Sequence, residues 1–402
     1  MPERIAPCVA YCLAVCSAAR WVWRSVLVVG LAWTWLPTTI NAQEQRHQFL
    51  SGGSAATKVS LAEANLALAA RYAPIFYQGL GETPRFDYIT NFDFDDDWQG
   101  DNNWQNAEDP RFPLAAWVYF SVCETTTHYF IHYAVFHPRD WKGGNRRGVV
   151  MSDLLRLGAR YGRNYDPTGV VDDLVLAHEN DLEGCLVVVA KARAGQSAGE
   201  RVVFVESLAH NKFLRYRPGS GQSQDTIRLE NQRPLLFIEP RGHGIEAYRG
   251  SQRQLRASVK GTVRYEYTGQ PGVPGDGDPP PQLGYALVPI ETTLWTRAQS
   301  GRNETYGEQF NYGTRHITVG GRRRGIWLGV LGSAFLGTHG GRNMARPPWG
   351  WFDRNERHRP LGEWYFDPAV TIKRHFQLGN SFSTSYTAHP LLRPAASRSQ
   401  RD

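Results

Sequence analysis

The strongest restriction on the fold is a series of short apolar runs, rich in β-branched and aromatic residues and separated by turn-forming connections. Residues 114–123 (LAAWVYFSVC) and 127–136 (THYFIHYAVF) are the first two, and 185–190, 201–205, 235–238, 262–268 and 284–290 follow. Runs of this length and makeup read as strands. Punctuated by 40 Gly and 24 Pro, they predict a mainly β chain: a β-sandwich or jelly-roll-like core with one early helix and long loops. The helix is announced by Ser60-Leu61-Ala62-Glu63, a capping box whose hydroxyl and carboxylate would satisfy free amides at a helix start. It would run from Leu61 to Arg71, with Pro74 marking its limit.

Residues 1–42 read as an export signal. Arg4, Arg20 and Arg24 precede the apolar stretch Ser25–Leu36, and Ile40-Asn41-Ala42 is a tolerable cleavage site. A membrane anchor is the alternative, but Arg24 interrupts the run and the remainder is short for a span. The expected location is therefore secreted or periplasmic, with no transmembrane segment in the mature chain. Residues 43–59 are polar and small, a flexible arm, and 393–402 a disordered tail. Residues 60–392 are expected to form a single β-rich domain. The Pro/Gly-rich stretch 269–283 is either a long surface loop or a domain break. The formal net charge of +7 is too modest for a nucleic-acid footprint, and no nucleic-acid motif accompanies it. A solvated basic surface accounts for it, and glycans or anionic lipid headgroups are compatible partners. Outside the leader only Cys123 and Cys185 remain; an even pair in an exported chain invites one disulfide, with two buried thiols as the alternative.

Chemistry concentrates at Ala177-His178-Glu179-Asn180-Asp181-Leu182-Glu183-Gly184, just before the apolar run Cys185–Val189. On a flat strand Asp181 and Glu183 share one face and His178 takes the other. The three converge only if the backbone bends or bulges near Asn180. Converged, and with Asp172 or Asp173 from upstream, they would suit a divalent ion of mixed nitrogen and oxygen preference. The alternative is an acidic turn in which His178 merely hydrogen-bonds. Leu182 rules out the H-E-x-x-H zinc pattern. Asp93, Asp95, Asp97 and Asp101 offer a second set of oxygens, but their spacing fails the EF-hand loop and equally fits a Trp-clamped polar loop. His243, between Gly242 and Gly244, is a candidate to join the first site, and His210 a weaker one. His128 and His132 lie about 13 Å apart along one strand and cannot share an ion. His137, before Pro138, reads as a turn residue. No nucleophile elbow or reactive thiol is evident; Glu179 and His243 are the candidate bases if the chain is an enzyme.

The order of Arg71-Tyr72-Ala73-Pro74, the strand ending Tyr133–Phe136, the 178–183 segment and Gly242-His243-Gly244 resembles proteins related to vacuolar protein sorting-associated protein 62 over about residues 71–245. Leu182 stands where that family usually has Trp. The blocks 347–353 and 362–368 look like family-type segments too. The H-x-x-D-x-E core is also similar to the heptapeptide of secreted necrosis-inducing β-sandwich toxins, with Asn180 in place of a second His. That resemblance implies a divalent-cation role for His178, Asp181 and Glu183 near a lipid-glycan headgroup. The expected function is divalent-ion-assisted binding of a surface glycan or lipid headgroup, with calcium, magnesium or manganese favoured over zinc. A metal-dependent hydrolase of glycan or lipid esters and a metal-free structural protein are the alternatives.

Overall fold

The computed structural model describes residues 55–140, 178–192, 199–299, 304–337 and 345–392, all within one compact unit. The leader and the C-terminal tail lie outside them. Among the described residues fifteen strands form one large mixed sheet, nearly closed into a barrel, around a sandwich-like core. In chain order they are β1 (Ile75–Gly79), β2 (Trp117–Thr125), β3 (His128–Asp140), β4 (His178–Ala190), β5 (Arg201–Leu208), β6 (Phe213–Pro218), β7 (Thr226–Ile227), β8 (Leu229–Glu230), β9 (Arg233–Ile238), β10 (Ile245–Ala247), β11 (Thr262–Tyr267), β12 (Gln282–Pro289), β13 (Tyr306–Val319), β14 (Arg322–Phe335) and β15 (Ser385–Ala388). The main path runs β10-β9-β1-β11-β12-β2-β3-β4-β5-β6-β7. From β2 to β6 it is an antiparallel meander, whereas β1–β9, β11–β12 and β12–β2 pair in parallel. All seven predicted strands are present. The Pro/Gly stretch joins β11 to β12, two strands paired side by side.

The meander is buried on both faces. Ile131, Tyr133, Val135 and His137 of β3 alternate with Phe130, His132, Ala134 and Phe136, and none of the eight is exposed. The Tyr133 hydroxyl donates to the Ala69 carbonyl at 2.7 Å, which sets the first face against helix α1 (Ala55–Tyr72). On the second face the His132 ring meets Trp364 edge-on and Phe130 meets Phe382. Each fully buried Val or Leu of the run Leu186–Val189 contributes about 1.5–3 kcal/mol relative to exposure.

Three expectations need correction. Helix α1 begins at Ala55, so Ser60 and Glu63 lie inside it and the capping box does not mark its start. Cys123 and Cys185 are free, buried thiols rather than a disulfide. Cys123 on β2 pairs with Phe130 and Cys185 on β4 with Tyr133, so β3 separates them. Phe130 and Tyr133 are three residues apart, so the two sulfurs also point to opposite faces of the sheet. Two strand spacings exceed the reach of a disulfide. His137 is no turn residue: it sits fully buried inside β3.

The long ribbon of β13 and β14 was not legible. Its strands mix glycine, arginine and polar residues, and several of its side chains stay in solvent, Trp327 at 74% exposure among them. Only the Gly320-Gly321 turn, both residues at positive φ, carries a hairpin signal.

One half-buried acid gives the fold a pH signature. Glu291, just after β12, accepts a hydrogen bond from the Ser121 hydroxyl. Burial pushes its carboxyl up to about 7, and the serine only partly opposes this. The folded value lies above the ordinary 4.5, so the folded state holds the proton longer than the unfolded chain. Its stabilising share is complete below about pH 4.5 and is lost as pH rises through 7. Some solvent contact at Glu291 reduces the size of the effect to about 2 kcal/mol. Glu291→Gln should remove this loss, flattening the decline in urea stability between pH 5 and 8. An unchanged pH profile in that variant would assign the decline to another group.

Candidate functional site

The motif lies inside β4 rather than before it. From His178 to Glu183 every residue is buried, and all but Asn180 pair in register with β3, from Asp140↔His178 to Val135↔Glu183. The pairing keeps step across Asn180, yet Asn180 itself takes φ of 56°. This left-handed residue breaks the strand's alternation without inserting an extra one. His178, Asp181 and Glu183 thereby all line one cavity of about 30 Å³, together with Asp140, His210, Arg346 and Trp351.

Asn180 is held there by bonds from far along the chain. Its amide donates to the carbonyls of Gly100 (2.7 Å) and Leu336 (2.8 Å). Its oxygen accepts from the Asn103 amide at 2.6 Å. Asparagine tolerates the left-handed region better than most residues, and here it also ties three segments together.

The His178 ring is fixed by its Nδ1, 3.1 Å from the carbonyl oxygens of both Glu179 and Asn180. Carbonyls only accept, so Nδ1 carries the hydrogen and Nε2 faces Asp140 Oδ2 at 3.4 Å. Asp181 is steered from the other side. Its Oδ2 lies 3.0 Å from His243 Nδ1, and His243 Nε2 lies 3.2 Å from Asp87 Oδ1. Burial disfavours a charge on His243, but hydrogen bonds and charges from Asp181 and Asp87 outweigh it and raise its pKa to about 9. His243 is thus a buried imidazolium between two carboxylates. It stacks on His137 at 3.7 Å, and His137, pushed well down by burial and by the neighbouring charge, bonds to Gln78 at 3.0 Å. Glu183 Oε1 accepts from the His210 backbone N–H at 3.2 Å, and the His210 ring is engaged by Glu239 at 2.9 Å.

Two glycines are placed by close approach. A Cβ on Gly184 would lie 2.8 Å from the Tyr133 carbonyl and collide with the Trp351 ring, whose Nε1 donates to Leu182 at 3.0 Å. A Cβ on Gly244 would lie 2.9 Å from the His210 ring. Gly244 therefore admits a histidine of the chain itself.

Other expected residues stand elsewhere. Asp172 and Asp173 lie outside the described residues. Glu179 is fully buried away from the cavity, accepting from the Trp104 backbone N–H at 3.2 Å. His132 bonds to the Trp364 carbonyl in the core, and His128 lies at the far end of β3. The acids of the 93–101 loop bond locally, Asp95 to Asn106 and Asp97 to Gln99 and Asn102. Asp140, Arg346 and Trp351 of the cavity wall were missed. Asp140 had no motif around it, and Trp351 was marked only by the resemblance of its block.

The donor types fit a divalent cation. A histidine that gives Nδ1–H to backbone carbonyls and turns Nε2 toward carboxylates is disposed as metal-bound histidines are. The spacing is not that of a finished ligand set: among the described residues no group of three or more His, Cys, Asp or Glu is arranged to hold an ion.

No protein-family model matches the chain, and no curated protein matches it, so the resemblance to vacuolar protein sorting-associated protein 62-related proteins gains no support there. Solved structures with partial likeness include the necrosis and ethylene inducing protein 2 from the causal agent of cocoa's witches' broom disease, at 16% identity and TM-score 0.21, covering 35% of this chain and 47% of that one. NLPPya in complex with glucosamine matches at 14% identity and TM-score 0.25, covering 56% of this chain and 73% of that one. A structure described as a toxin fold for microbial attack and plant defense gives 14% identity and TM-score 0.23, covering 56% and 74%. The chain spans about half the length of the first and about three quarters of the other two. At these TM-scores the architecture of this chain is read from its own sheet.

Proposed function

We propose that this chain is a binding protein that takes the headgroup of a surface glycan or lipid at the β4 cavity, assisted by a divalent ion. His178, Asp181 and Glu183 would hold the ion, with Asp140 as an added ligand and Asp172 or Asp173 as further candidates. The observation that carries the reading is the His178 ring. Its Nδ1 is committed to two carbonyls, and its Nε2 faces Asp140 in a cavity shared with Asp181 and Glu183. A bound ion would neutralise this cluster and supply a positive centre for anionic or hydroxyl oxygens. Arg346 in the same wall adds a fixed cation for a phosphate or carboxylate. Calcium, magnesium or manganese suits the carboxylate-rich set better than zinc. Binding is favoured over ester hydrolysis because the two candidate bases, Glu179 and His243, have no exposed surface. We also propose that residues 60–392 act as one domain and that the protein works outside the cytoplasm. No described helix is long and apolar enough to cross a membrane.

Metal analysis and thermal melts of the purified protein test the reading. Ion at a hundredfold excess over its Kd should add about 2.7 kcal/mol, seen as a rise of several degrees in Tm with millimolar calcium, magnesium or manganese. Asp181→Asn/Glu183→Gln should abolish the rise, and chelator should release glycans or anionic vesicles retained by the parent. A parent that carries no ion and melts identically with all three would sink the proposal.

A further inference from the structure

At the opposite end of the β3–β4 ladder, where His128 pairs with Ala190, a second cleft of about 320 Å³ opens between the sheet and residues 378–382. Its volume is at the small end of the ligand-pocket range of about 300–1,000 Å³. The two cavities differ in sign. The first is lined by Asp140, Asp181 and Glu183 beside Arg346, whereas among the described residues the second has Lys191, Arg201 and His128 in its wall and no acid. Lys191 is held in place by Glu124 and by the Tyr129 ring, 4.5 Å from its Nζ. Arg201, at the start of β5, is exposed, and among the described residues its guanidinium has neither an ion-pair nor a hydrogen-bond partner.

The remaining wall is aromatic. Phe204 and Phe382 meet edge to face at 6.4 Å, and the His128 ring lies 4.4 Å from Phe382. A positioned ammonium, a guanidinium unpaired among the described residues and an aromatic floor recognise a molecule with an anionic end and a compact ring, aromatic or pyranose, whose flat face packs on the phenyl rings. We propose that this cleft binds a small organic anion bearing one ring, its carboxylate or sulfate on Arg201 and Lys191 and its ring on Phe204 and Phe382. The site is independent of the ion-assisted cavity and needs no metal.

Calorimetric titration of the purified full chain tests this with benzoate and glucuronate as separate arms, one offering a flat ring and the other a pyranose. Binding of either supports the site and identifies which body it takes. Benzamide, which keeps the ring and lacks the charge, and acetate, which keeps the charge and lacks the ring, should each bind about tenfold or more weakly. Arg201→Gln should weaken the bound acid by about tenfold, and Val203→Trp, which fills the cleft, should abolish binding. Because Arg201 is exposed, its variant should leave the circular dichroism and melt unchanged, so the test stands even if Val203→Trp folds poorly. Absence of binding by both acids at tens of millimolar would overturn the proposal. So would equal affinity for benzoate and benzamide where benzoate is the acid bound, or unaltered affinity in Arg201→Gln.

Discussion

Replacing His243 with leucine should cost about 3–5 kcal/mol of folding stability, read as a lower urea midpoint with the slope unchanged. The reason is the charge left behind. His243 bridges Asp87 and Asp181 and is fully buried. Asp87 already accepts from the Gly81 and Arg241 backbone amides, so it cannot turn away to solvent without breaking those bonds. Removing the imidazolium leaves two buried carboxylates with no cation between them, and such unpaired charge costs far more than the pair contributes. Adding Asp87→Asn should recover part of the loss, because the double variant buries one fewer charge; the two effects should therefore be clearly non-additive. A His243→Leu protein within about 1 kcal/mol of the parent would show that the bridge does not hold the fold in this way.

Asn180→Ala should cost about 4 kcal/mol, combining three lost hydrogen bonds at about 1 kcal/mol each with strain at a left-handed residue. The carbonyls of Gly100 and Leu336 and the Asn103 amide would all lose their partner. Asn180→Gly separates the terms, since glycine relieves the φ of 56° but restores none of the bonds. It should fall between the parent and alanine. Asn180→Asp should resemble alanine or do worse, because a carboxylate would face two carbonyl oxygens. Chemical denaturation of the three variants checks the order, and alanine ranking above glycine would contradict the assigned backbone.

These two residues also mark where sequence reasoning stops. The meander was readable because each strand carries its own burial: Leu186–Val189 or Phe130–Phe136 has few other places to go. The demand for a bend at Asn180 was readable too, since alternation alone separates His178 from Asp181. What supports the bend was not. Gly100, Asn103 and Leu336 come from distant segments, and nothing local says that they meet. The same holds for Asp87 beneath His243, and for Asp140, which joins the cavity only because β3 and β4 pair in one particular register. His137 reads as a turn residue from its Pro138 neighbour because its hydrogen-bond partner, Gln78, lies far off in the chain. The ribbon of β13 and β14 failed for the opposite reason: its outer face stays in solvent, so no apolar alternation was needed.

The parallel pairing of β1 has a consequence for biogenesis. This strand precedes every other strand among the described residues, yet its neighbours β9 and β11 begin only at Arg233 and Thr262. At ordinary synthesis rates the nascent chain carries an open, hydrogen-bond-hungry edge for roughly ten seconds or more. β2 pairs at once with β3, but its other edge waits for β12 at Gln282 and for β15 at Ser385. Premature termination anywhere before that point would release a chain with exposed apolar edges rather than a smaller folded body. Production of this protein should therefore depend on chaperone capacity and slow synthesis more than on the stability of the finished sheet.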